Sequence, residues 1–110
     1  KFAKHLKNSL GGSVSYTDSG KPITKVAFCS GGGGDFVALA KKNGADAFLT
    51  GEAKHHEVLF SAEAGISLFV AGHFETENVV CECLCEYLKN KFGNEVEICV
   101  SALKHPVNYI

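Results

Sequence analysis

Methionine and tryptophan are absent from the 110 residues, proline occurs twice, and neither sign of charge dominates, with Lys+Arg 11 against Asp+Glu 12 for a net charge of -1. Without a long basic run there is no electrostatic footprint for general nucleic-acid binding. No apolar stretch approaches the roughly 20 residues that span a bilayer, and the first residues lack the signal-peptide pattern. A soluble, cytoplasmic chain with no membrane partner is therefore expected. The cysteine count of 5 is odd; secreted frameworks usually pair their thiols, so free thiols are expected. A sequence that opens on Lys1 and holds no Met is expected to be a processed product or a piece of something longer.

What is present suits one α/β domain over residues 1–110, since 45% of the residues are hydrophobic and the length supports a modest core. Three short apolar runs end in small or polar residues. Val26-Ala27-Phe28-Cys29 runs into Ser30 and Gly31 to Gly34, Ala47-Phe48-Leu49 into Thr50-Gly51-Glu52, and Ile66 to Ala71 into Gly72-His73. Their length and glycine boundaries favour strands, and each is followed by a helical pattern. The polar ends should therefore lie side by side at the carboxyl edge of a mostly parallel sheet, where open α/β folds bind ligands. The expected architecture is a three-layer sandwich-like domain with a mostly parallel central sheet and an antiparallel edge.

Helices are expected from Phe2 to Leu10, ended by Gly11-Gly12; from Asp35 as cap through Lys42, closed by Gly44; from about Lys54 to Ala64, with Gly65 at its end; and from about Thr76 to Phe92. In the last, Val80, Leu84, Tyr87 and Leu88 form one apolar stripe, and Lys89 and Lys91 favour its carboxyl end. Val14 to Thr17 reads as an outer strand, followed by a turn over Asp18 to Pro22. Glu95 to Ala102 alternates Val96, Ile98 and Val100 with polar residues, as a half-exposed antiparallel edge strand does.

Chemistry concentrates in few places. His73 and Glu77 stand four apart at a helix start, so an imidazole and a carboxylate can share one face and one metal ion. The competing reading is an ordinary helix start that favours Glu electrostatically; proximity to Glu52 and His56 tips the balance toward function. His55 and His56 project about 100° apart on a helix, so at most one faces a site. The four glycines invite a phosphate-binding reading, but no Gly-Lys-Ser/Thr ending follows and Asp35 would repel an anion, which leaves a tight strand-to-helix turn as the better account. Cys83 points about 200° away from Cys81 and Cys85 around a helix, so one ion cannot collect all three, and packing is their expected use.

These residues carry a resemblance. Thr50-Gly51-Glu52-Ala53-Lys54-His55-His56 is similar to a Thr-Gly-Asp/Glu-x-Lys-x-His signature, and Gly72-His73-Phe74-Glu75-Thr76-Glu77 to a Gly-His-x-x-Thr-Glu signature, of the NIF-three-like dinuclear metal-centre family, which also bears a GTP cyclohydrolase type-one-like name. Val26 to Gly34 resembles that family's strand and Ser-Gly-rich loop. The match is to the carboxyl-terminal half of a typical member; the other half supplies a His-His pair and an Asp that have no counterpart here. The resemblance implies divalent metal ions, two per site in a complete member, zinc, manganese or iron, with His73 and Glu77 as ligands and Glu52, Lys54 and His56 near the cleft. It implies a metal-dependent hydrolase of a nucleotide or related phosphorylated small molecule, with Glu52 or His56 carrying protons, and a homo-oligomer. The alternative is a non-catalytic metal-binding regulatory protein or scaffold.

Overall fold

The computed structural model describes residues 1–108. The chain separates into two compact units, Lys1–Glu77 and a segment that begins at Asn78. The first holds a four-stranded sheet of β1 (Ser15–Tyr16), β2 (Val26–Cys29), β3 (Ala47–Thr50) and β4 (Ser67–Val70), in the order β1-β4-β3-β2. β2, β3 and β4 are parallel, with Cys29 opposite Thr50 and Thr50 opposite Val70, so their carboxyl ends are level. β1 is the antiparallel edge, with Ser15 opposite Val70.

Side-chain alternation along the strands builds two cores. Phe48, Leu68 and Val70 face α2 (Val37–Lys42) and α3 (His55–Ala64), joining Val37, Ala40, Ala45 and Ile66. Ala47, Leu49 and Phe69 face the other way, against Phe2, Leu6 and Leu10 of α1 (Phe2–Leu10). Helix, sheet and helix pair thus make the three layers expected. α1 ends at Gly11, whose positive φ of 83° lets its N–H reach the Lys7 carbonyl, the left-handed cap that glycine takes most easily. At the start of β2, the Asp46 carboxylate accepts from Thr24 N–H, Lys25 N–H and the Thr24 hydroxyl. These bonds, that to the hydroxyl first, lower its pKa from 3.8 to about 2.

Three expectations are corrected. Glu95 to Ala102 forms no strand, because alternation makes a strand only where a ladder partner exists, and β1 takes the antiparallel edge instead. Asp35 caps nothing: it lies in a 3-10 turn, Gly34–Phe36, ahead of α2, and its carboxylate turns to Lys54 Nζ at 3.4 Å. The longest helix, α4 (His73–Phe92), begins three residues before Thr76. Along it Val80, Leu84 and Tyr87 are exposed, and the side chain that α4 buries is Cys85, whose thiol points at the Ile98 carbonyl within the second unit. All five cysteines are free. Among the described residues no helix is long and apolar enough to cross a membrane.

The level strand ends leave little room between their loops. A Cβ on Gly51 would stand 2.6 Å from Thr76 Oγ1, 2.7 Å from the Gly31 carbonyl and 2.8 Å from the Gly72 carbonyl, whereas one on Gly32 meets only Glu52 Oε2 at 3.7 Å. Gly51→Ala is therefore expected to destabilise the chain by about 2 kcal/mol, as overpacking against backbone does, with Gly32→Ala the milder change. Paired thermal melts check this; equal melting temperatures for the two variants would contradict it.

Candidate metal centre at the strand ends

Each of the three loops after β2, β3 and β4 contributes to one arrangement. The Gly31 carbonyl accepts from Gly51 N–H and Glu52 N–H, both at 2.9 Å, and from the Thr50 hydroxyl at 3.1 Å. Gly31 N–H donates to Thr76 Oγ1 at 3.0 Å, and Thr76 in turn donates to the Gly72 carbonyl at 2.8 Å. Gly72 N–H closes the set on the Gly51 carbonyl at 3.0 Å. Gly31 and Gly33 N–H groups are thus already engaged, the second with Thr50 Oγ1 at 3.0 Å, which supports the tight-turn account of the glycine loop over phosphate binding.

On this frame His73 lies between two carboxylates. Its Nδ1 stands 3.1 Å from Glu52 Oε2 and its Nε2 3.3 Å from Glu77 Oε2. Gly31 makes the close approach feasible, for a Cβ there would run into Glu77 Oε1 and lie 3.0 Å from His73 Nε2. The two carboxylates meet opposite edges of the ring. One arrangement that uses this is a metal ion on Nε2 and Glu77, with Glu52 holding the Nδ1–H and so fixing the tautomer. The donor set fits such an ion: an imidazole nitrogen and a carboxylate oxygen at 3.3 Å have about the mutual spacing of ligands on an ion with bonds of roughly 2.1 Å.

His56 does not join this group. It stands at the start of α3 with Nε2 3.8 Å from Glu57 Oε1, and Asp35 completes a cluster of three donor atoms within 4.8 Å of one another. Lys54 pairs with Asp35, and both are largely exposed. The Glu57 carboxyl first, and then the Lys54 charge, lower the Asp35 pKa below 3.8. A cavity of about 440 Å³, lined by Gly32, Gly34, Asp35, Glu52, Lys54 and Glu57 among others, joins the surroundings of this cluster to Glu52. The sequence reading passed over Glu57 as well as the bracing hydroxyls of Thr50 and Thr76. The signal for Glu57 was its place three residues after Lys54, the reach of a carboxylate back to a helix-start N–H; Oε2 accepts that N–H at 2.6 Å.

Hydrogen bonding to Glu52 is the largest cause that raises the His73 pKa above 6.5, with the Glu77 charge adding to it. A raised folded-state value means that the pair stabilises the fold fully below pH 6.5 and loses that contribution as pH rises through the folded value. In metal-free protein the His73 ring is expected to titrate above 6.5, and Glu52→Gln to lower that value. NMR titration of the ring protons is the check, and an unmoved midpoint in Glu52→Gln would refute the assignment of cause.

The chain is similar to known proteins in sequence and in fold. Residues 1–106 match the family model described as Duf34/NIF3 (NGG1p interacting factor 3). A GTP cyclohydrolase 1 type 2 homolog of Pseudomonas aeruginosa is 38% identical over 94 residues, which is 86% of this chain and 37% of that protein. One from Clostridium perfringens is 36% identical over 108 residues, 96% of this chain and 41% of the relative. Among solved structures, Staphylococcus aureus protein SA1388 superposes with a TM-score of 0.88 at 32% identity, covering 99% of this chain and 37% of that one. A Bacillus cereus protein related to NIF3 gives 0.88 at 27% identity, covering 99% and 32%. The chain thus spans well under half the length of these relatives. With a family model matched over residues 1–106 and a fold shared with solved members, the chain belongs to the Duf34/NIF3 family.

Proposed function

We propose that this chain is the metal-binding part of a metal-dependent hydrolase acting on a nucleotide or a related phosphorylated small molecule. The observation that carries the reading is the pair of facing donors, His73 Nε2 and Glu77 Oε2, 3.3 Å apart at the carboxyl end of a parallel sheet. The name of the relatives, GTP cyclohydrolase 1 type 2 homolog, supports a nucleotide as the substrate class. His73 and Glu77 would hold a divalent ion, zinc, manganese or iron. Such an ion, when bound, polarises a substrate oxygen and lowers the pKa of a bound water.

The chain's own residues do the rest. Glu52 fixes the His73 ring by accepting from Nδ1 at 3.1 Å, and it also lines the neighbouring cavity, so it is placed to take up a proton there. Of the two proton carriers suggested by the sequence, Glu52 suits this role better than His56, which faces Glu57 instead. Thr76 and Thr50 position the Gly31 turn against which Glu77 packs. Self-association and a cytoplasmic location belong to the same reading; exposed Val80, Leu84 and Tyr87 on α4 offer apolar surface for it.

Glu77→Gln tests the reading in the protein that carries this chain. Half the Glu77 side chain is exposed, so melting is expected to shift by about 0.5 kcal/mol or less. Bound metal should be lost and nucleotide turnover should fall by several powers of ten, because free water has a pKa far above neutrality and a bound metal ion lowers it toward neutrality. Turnover that survives the loss of metal would exclude metal-dependent hydrolysis.

A further inference from the structure

The geometry points to a second divalent-cation site formed by Asp35, His56 and Glu57, separate from the His73–Glu77 pair. Each residue offers one donor atom, and the three atoms lie within 4.8 Å of one another. Ligands bound at roughly 2.1 Å sit about 3 to 3.5 Å apart, so closure requires shifts of only about 1 Å. The side chains that would shift are free to do so, for Asp35 is 71% exposed and His56 73%.

Glu57 supplies the fixed point, and it is what distinguishes this cluster from a patch of surface acids. Its side chain is only 6% exposed, and Oε1 is buried without a hydrogen bond. Its other oxygen is tied to Lys54 N–H at 2.6 Å. The carboxylate lies under the glycine loop in space that a side chain at position 34 would fill, since a Cβ on Gly34 would run into Oε2. A buried carboxylate oxygen that makes no hydrogen bond and has the His56 imidazole only at 3.8 Å, with a second carboxylate beside it, is better satisfied by a cation among the three. The dipole of α3 opposes a cation at its first turn, but its half charge is outweighed by two carboxylates. Lys54 is a weak competitor, being an exposed partner 3.4 Å from Asp35. One nitrogen and two oxygens suit zinc or manganese. The cavity of about 440 Å³ alongside leaves an ion held here open to a small ligand.

The test is calorimetric titration of zinc chloride into the His73→Ala chain, in which the first pair has lost its imidazole. One equivalent of zinc is expected to bind still. His56→Ala and Asp35→Asn, each added separately, should weaken it about tenfold or more, while His55→Ala should leave it unchanged. Both positions are exposed, so their substitution leaves the fold in place, whereas Glu57 is buried. Absence of zinc uptake by His73→Ala, uptake unaffected by His56→Ala, or loss of uptake in His55→Ala would each overturn the site. None of these results bears on Glu77-dependent turnover, so the two readings fail separately.

Discussion

Everything at the strand ends depends on one residue, Gly31, and the two peptide groups that flank it. Its carbonyl gathers the N–H groups of Gly51 and Glu52 and the hydroxyl of Thr50, and its N–H is taken by Thr76. Three loops far apart in sequence are thereby fixed to a common point. A backbone group satisfied in this way costs little to bury and is expensive to leave unpaired. The φ of +64° at Gly31 and the missing side chain are both needed, because a Cβ would occupy the space of Glu77 and approach His73. The glycines therefore act through what they leave room for: the turn brings a carboxylate and an imidazole against bare backbone, and the spacing of the candidate ligands follows from that contact.

The same economy explains the division between His73 and Glu57. His73 is exposed and held between two carboxylates, so its protonation responds to both. Glu57 is buried, anchored at one oxygen and unsatisfied at the other. Glu52 reaches His73 and also lines the cavity that Glu57 and Asp35 share. The chemistry at these strand ends is therefore arranged around acids, with the glycine loop serving as their floor.

Much of this was legible in the chain. The apolar runs ending at Cys29, Leu49 and Ala71 pointed to the parallel strands and to the edge at which the polar residues meet, because short runs with glycine boundaries have few other uses. That His73 and Glu77 share a face followed from helical spacing, but spacing alone left an ordinary helix start as an equal reading, and their place near Glu52 and His56 decided between the two. Glu95 to Ala102 misled because alternation records which side chains are apolar and says nothing about a ladder partner. The stripe of Val80, Leu84 and Tyr87 is exposed, for an apolar face need not be the face that is covered, and among the described residues Cys85 is the buried one of α4. Asp35 and Glu57 were hidden for another reason. Their proximity joins residues 22 positions apart across a loop and a helix start, which no local pattern encodes.

The outer side of β2 has a consequence of its own. Among the described residues no strand pairs with it, and Phe28 on its surface is 75% exposed. Val26-Ala27-Phe28-Cys29 carries no charge and no proline, the two features by which edge strands ordinarily discourage stray pairing. Lys25, just before it, is drawn aside to the Asn43 carbonyl at 2.6 Å. As the last strand in the sheet order, β2 offers its outer peptide groups and the Phe28 ring as a template for an extended segment, so handling at high concentration favours intermolecular strand addition along this side.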